Sequence, residues 1–286
     1  MTTADQGKQS AFEMLIQNGA DPSLKDNDGC SLLHCAVKAG NTSIINKLLS
    51  VAVAIDSRND DDVTPLMCAA YCDKQNAFEM LIQNGADPSL KNNKGFSLLH
   101  CAAQGGNTSI INKLLSLSFD IDSRSNDGVT PLMTAADYGK QNAFEMLIQN
   151  GADPSLKIKN GSSLLHIAAQ GGNTSIIEKL LSLGLDIDSR NDVGATPLMT
   201  AADYGKQNAL EMLIQNGADP SLKTKNGSSL LHFAAQSGNT CIINELSSLG
   251  LSIHLKDVYG KTPLTRAIER NNTDAVKFLT SKRAFK

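Results

Sequence analysis

One interval governs this chain. Ser31-Leu32-Leu33-His34 is followed by Thr64-Pro65-Leu66, and these two openings alternate to Ser97, Thr130, Ser163, Thr196, Ser229 and Thr262, each 33 residues after the last. A fixed interval of this length marks stacked supersecondary units rather than one central core. A single unit falls below the roughly 40 residues at which a chain can fold without a staple or partner, so stability must come from interfaces between neighbours. Length alone, at about 100 to 200 residues per domain, would suggest two globular domains. The period overrides that estimate, because an array grows by adding units.

Within a unit the local chemistry predicts a helix, a turn and a second helix. In residues 191–223, Thr196 stands where an N-cap accepts an orphan N–H. Pro197 follows at the first helical position, where its missing N–H costs little. Leu198, Ala201 and Ala202 form an inward face, and Gly205 permits a left-handed turn. Ala209, Leu210, Leu213 and Ile214 make a second apolar stripe, which Gly217 terminates and Pro220 keeps from resuming. Odd units read Ser-Leu-Leu-His and even units Thr-Pro-Leu, so the duplicated module spans 66 residues. Asp62, Asp73, Ala52 and Ser118 stand where other units carry glycine.

The eight openings in register, with the Ala-Ala pairs and the closing Asn216-Gly217-Ala218-Asp219, resemble the ankyrin repeat family across nearly the whole chain. The resemblance implies an all-α solenoid of helix–turn–helix units with projecting β-turn or hairpin loops. On this reading residues 1–286 form one repeat domain. Residues 1–25 are a partial repeat, full repeats span 26–58, 59–91, 92–124, 125–157, 158–190, 191–223 and 224–256, and 257–286 is a polar capping repeat. Because Met1 aligns with Met133 and no opening precedes it, the parent chain is expected to extend upstream.

No basic segment followed by an apolar run opens the chain, and the most apolar stretch, residues 48–55, is far short of the roughly 20 residues a membrane span needs. A soluble monomer in the cytoplasm, with the nucleus as the other compartment, is the expectation. Cys35, Cys68 and Cys101 share one repeat position. Packed helices lie about 8–10 Å apart while a disulfide needs Cα atoms within about 7 Å, so reduced thiols are expected. Charge is uneven: residues 256–286 carry a net +5 and the remainder −8 of a total −3.

Two ladders invite a chemical reading. His34, His100, His166 and His232 recur at one position, but a whole repeat between rings is too far to share a metal at about 2.0 Å per bond. The resemblance implies a structural role for them instead. Lys25, Arg58, Lys91, Arg124, Lys157, Arg190, Lys223 and Lys256 precede successive turns. Such a row could track phosphates, yet the acidic array body points to a solvated ridge with local ion pairs and no nucleic acid. Lys282, Arg283 and Lys286 read as a polar terminus. No nucleophile, base and orienting residue recur as a set. The chain is therefore expected to be non-enzymatic, with no cofactor and no metal.

What remains is a surface. In ankyrin arrays the turn tips and exposed first-helix positions form a concave face. Here second helices are near copies while the tips vary, as a scaffold with a variable reading face would. The candidate partner-binding residues are Tyr71, Phe96, Asp127, Asp137, Tyr138, Ile158, Asp192, Asp203, Tyr204 and Tyr259. Tyr138 and Tyr204 would serve as anchors, and Asp137 and Asp203 would supply specificity. The expected role is a protein-binding scaffold. The alternative is a tethering segment of a larger membrane-associated or signalling protein.

Overall fold

Each opening starts a helix where its chemistry dictates. A computed structural model describes residues 14–16, 18–51 and 53–284. Among them the first helices are α1 (Leu32–Ala39), α3 (Pro65–Tyr71), α5 (Leu98–Gly105), α7 (Pro131–Asp137), α9 (Leu164–Gly171), α11 (Pro197–Asp203), α13 (Leu230–Ser237) and α15 (Pro263–Glu269). The second helices are α2 (Thr42–Ser50), α4 (Gln75–Gln83), α6 (Thr108–Ser116), α8 (Gln141–Gln149), α10 (Thr174–Ser182), α12 (Gln207–Gln215), α14 (Thr240–Ser248) and α16 (Thr273–Ala284). The partial repeat expected over 1–25 lies mostly outside the described residues, as do Ala52 and Lys286.

Side chains cap several helix starts and several helix ends. Thr64 and Thr196 accept the Met67 and Met199 N–H groups at 3.3 Å. Asn41, Asn107 and Asn239 accept from Ile44, Ile110 and Ile242 at the starts of α2, α6 and α14. At the far ends of α4, α8 and α12, Asn84, Asn150 and Asn216 each donate to the carbonyl four residues back at 2.8 Å. Asp62, Asp73 and Ser118 adopt φ of 57°, 54° and 61°. The repeat geometry therefore holds them in the left-handed region even without glycine, at about 1–2 kcal/mol for a residue with a Cβ.

The described chain divides into two compact units. One runs to Ala135 and includes Lys140–Asp153; the other joins Ala136–Gly139 to Pro154 onward. In the first unit α1, α3 and α5 pack in sequence, with α2 on α4 and α6 on α8. In the second unit α9, α11, α13 and α15 pack in sequence, with α10 on α12 and α14 on α16. Buried alanine pairs make the close approach possible: Ala69-Ala70 and Ala102-Ala103 in the first unit, Ala168-Ala169, Ala201-Ala202 and Ala234-Ala235 in the second. Among the described residues no helix is long and apolar enough to cross a membrane.

The tips hang on one another through the backbone. Asp60, Asn93 and Asn126 donate to the carbonyls of Asp28, Asp61 and Lys94 in the first unit. Asp192, Lys225 and Val258 donate to those of Asn160, Val193 and Asn226 in the second, each at 2.9 Å. This approach is close enough that a Cβ on Gly95 would stand 2.7 Å from the Asn126 nitrogen, whereas one on Gly227 would meet nothing nearer than 3.6 Å. Both glycines have positive φ, +77° and +78°. Gly95→Ala is therefore expected to cost about 1 kcal/mol more than Gly227→Ala, because only Gly95→Ala adds overpacking to the shared backbone strain. Equal losses in urea denaturation would show that the tip contact yields freely.

Candidate functional site

The histidine ladder resolves into repeated structural clasps. Each ring lies over a helix start. His100 Nδ1 accepts the Ser97 N–H at 3.2 Å and the Ser97 hydroxyl at 2.8 Å, while His100 Nε2 donates to the Val129 carbonyl at 2.9 Å. His34, His166 and His232 repeat this with Ser31, Ser163 and Ser229, and reach the carbonyls of Val63, Ala195 and Lys261. A serine hydroxyl on an imidazole resembles a nucleophile and its base. Here both partners are buried, the ring nitrogens are fully engaged, and burial pushes each imidazole below its ordinary pKa, to about 4 for His100. The ring thus staples a helix start to the next repeat's turn.

Two of the thiols are equally inert. Burial raises Cys68 and Cys101 to about 12, so the thiolate that attacks or ligates is not populated at neutral pH. Among the described residues no three His, Cys, Asp or Glu side chains converge as metal ligands.

The basic ladder departs from the expected ion-paired ridge. Lys25 Nζ donates to the Arg58 carbonyl at 2.7 Å, Lys91 Nζ to the Arg124 carbonyl at 3.2 Å, and Arg190 Nη1 to the Lys223 carbonyl at 2.8 Å. Within this row Arg58 also meets the Asp62 carboxylate at 3.6 Å. The reason is geometric: a side chain this long spans one repeat and finds the equivalent backbone carbonyl there. Aspartates run parallel to it. Asp56, Asp122 and Asp188 accept the backbone N–H of Asp87, Asp153 and Asp219, 31 residues on.

The candidate binding residues divide by exposure. Tyr71, Tyr138, Tyr204 and Tyr259 are 50%, 51%, 54% and 71% exposed. Tyr71 ends α3, but Tyr138 and Tyr204 lie one position beyond α7 and α11, on the turn toward the second helix rather than on the first helix itself. Asp127 and Asp192 are exposed at tips, and Ile158 is half-buried. Phe96 is half-buried and stacks on the His100 ring with centroids 4.9 Å apart, so much of its face is used within the fold. Asp137 and Asp203, at the ends of α7 and α11, are half-buried and accept from Gln170 and Gln236 of the following repeat at 3.4 and 2.9 Å. Burial raises both carboxyls, with Lys206 and Arg270 acting against it. In the second unit, then, Asp137, Tyr138, Asp203, Tyr204, Gln170 and Gln236 form one row with its polar groups tied between repeats. Phe233 and Arg266, outside the candidate set, also face this side. Their departure from the 66-residue pattern is the sequence signal that would have found them.

Helix pairs recurring at one interval, stacked through buried alanines, with tips hydrogen-bonded repeat to repeat, define an all-α helical-repeat solenoid fold. The family model described as ankyrin repeats (3 copies) matches residues 1–92, 76–158, 151–224 and 213–286. The chain belongs to the ankyrin repeat family, whose repeats are protein–protein interaction modules. No curated protein matches the chain.

Proposed function

We propose that the chain is a non-catalytic scaffold that binds a protein partner along the ends of its first helices and its tips, with Tyr138 and Tyr204 as anchors. One observation carries this. The two rings are about half exposed at equivalent positions two repeats apart in the second compact unit, each beside a carboxylate held in place by a glutamine of the next repeat. Exposed tyrosine on a rigid support is a favoured hot-spot residue, because it offers large contact area at little entropy cost. The acidic body of the array gives the surface its charge, and the scaffold acts as a cytoplasmic monomer.

The test is affinity capture from native lysate with the full chain and with Tyr138→Ala, Tyr204→Ala, followed by a binding titration with the captured partner. Neither ring is buried, so the double variant should keep its helical circular dichroism and melting temperature. A loss of at least about tenfold in affinity is expected, since hot-spot truncations cost about 2 kcal/mol or more. Unchanged affinity in the folded double variant would remove the tyrosines from the interface.

A further inference from the structure

The repeats supply an internal reference: each 66-residue module states what the next should contain. Three departures from it meet at one place in the second unit. Val193 occupies the tip position held by Asp61 and Asp127. Phe233 stands where Cys35, Cys101 and Ile167 stand. Arg266 replaces Cys68, Thr134 and Thr200. All three line a single cavity of about 200 Å³, with Gln236, Thr224 and Asn226 among its walls. Val193, 60% exposed, and half-buried Phe233 form an apolar side.

The polar walls are already engaged. Gln236 donates to Asp203 at 2.9 Å, and the Thr224 hydroxyl donates to Asn226. Arg266 donates Nη2 to Asp257 at 2.8 Å and stands 3.6 Å from Glu269. A guanidinium has five N–H groups in a rigid fork, so Arg266 keeps donors for a further acceptor. Asp257 is itself a departure, standing where Asn59, Ser125 and Asn191 stand. The buried Asp257 carboxylate and Arg266 thus changed together, and the ion pair fixes the guanidinium at the edge of the cavity.

Charge and size narrow the occupant. Glu269 is bridged by Lys261 at 2.6 Å as well as by Arg266, Asp203 is bonded to Gln236, and Asp257 is paired. Lys225, whose N–H hangs on the Val193 carbonyl beside the cavity, has no carboxylate partner among the described residues. Around the rim Lys225 is thus the cation left without a carboxylate, and the sequence of the last repeat, residues 256–286, carries a net +5. A hollow of about 200 Å³ is smaller than the roughly 300–1,000 Å³ of cofactor and small-molecule sites, yet suits one large side chain. We propose that this cavity seats a bulky apolar side chain of a partner polypeptide, flanked by acidic residues that meet Arg266 and Lys225. The proposal rests on the scaffold reading and names the chemistry of the partner at this end of the surface.

The experiment measures fluorescence polarisation of short synthetic peptides against the full chain. One peptide has a central Phe flanked by Glu, the second has Lys for Glu, and the third has Ala for Phe. The Glu-flanked Phe peptide should bind at least tenfold tighter than either. Val193→Asp and Phe233→Asn test the apolar side. Val193→Asp restores what Asp127 supplies elsewhere in the array, so folding should survive, and it should abolish tight binding. Arg266→Thr combined with Asp257→Asn restores the pair found at Thr200 and Asn191. It should erase the Glu-over-Lys preference while keeping Phe over Ala. Equal binding of the Glu and Lys peptides to the unaltered chain, or binding untouched by Val193→Asp, overturns the inference. A lysate partner lost with the tyrosine pair but kept by Val193→Asp would also sink it, while leaving the scaffold reading intact. Peptide selectivity at the cavity with a tyrosine-independent partner would do the reverse.

Discussion

Acidification from pH 7.5 to about pH 4 should strip several kcal/mol from the stability of this chain, with the loss beginning near pH 6.5. The cause is the four buried imidazoles. Each is held below its ordinary pKa of 6.5, mainly by burial, and His100 falls to about 4. A base whose folded pKa is depressed binds fewer protons folded than unfolded. Its stabilisation is complete above the unfolded pKa and is lost as pH falls toward the folded one. A gap of 2.5 units at His100 corresponds to about 3 kcal/mol by pH 4. The chemistry agrees with the sign. A protonated ring has no acceptor, so the Ser97 N–H that bonds to Nδ1 is left facing another donor. Asp137 and Asp203 act in the opposite sense, since burial raises their carboxyls above the ordinary carboxylate value. Thermal melts between pH 7.5 and 4 should show the decline. His100→Gln keeps a side-chain acceptor three residues past the helix start. It should lower stability at pH 7.5 by about 1 kcal/mol through loss of the Val129 bond, yet flatten the pH dependence. An unchanged slope in that variant would remove the ring as its source.

The parts of this molecule that depend on spacing along the chain were legible in its sequence. The 33-residue interval gives every helix start from Leu32 to Pro263, and the left-handed conformations at Asp62, Asp73 and Ser118 follow from their register with glycines elsewhere. The parts that depend on reach across repeats were not. The Lys25, Lys91 and Arg190 side chains look like a charged ridge because a sequence records no backbone carbonyl as a partner. Phe96 looks like an exposed tip residue because its stacking on His100 depends on the angle at which the turn returns. Residue type and register single out tyrosines that are about half exposed or more. The cavity was not legible, because it needs Val193, Phe233 and Arg266 from three successive repeats to meet. Comparing each unit with the one 66 residues earlier, rather than asking what is shared, would have picked out all three.

Phe144→Ala should cost about 3–5 kcal/mol, whereas Phe144→Leu should cost under about 1.5 kcal/mol. The two substitutions separate volume from pattern. Phe144 is fully buried on α8, and Leu210 is fully buried at the equivalent place on α12. The array thus already contains the milder change in a packed setting, while nothing in it carries alanine there among the second helices α4, α8 and α12. Each unit touches only its neighbours, so an array loses stability unit by unit as well as globally. The loss should appear first as faster amide exchange along α8 and α6, the second helix against which α8 packs in the first compact unit. Exchange in α13 and α15 of the second unit should change least. Hydrogen exchange on the full chain, with urea denaturation for the total, measures both. Uniform acceleration across every helix would show that the chain unfolds as one cooperative body, and stability would then be no sum of neighbour interfaces. A gradient falling away from α8 would show that the repeats hold one another in place locally, which is the property a binding surface assembled from several repeats requires.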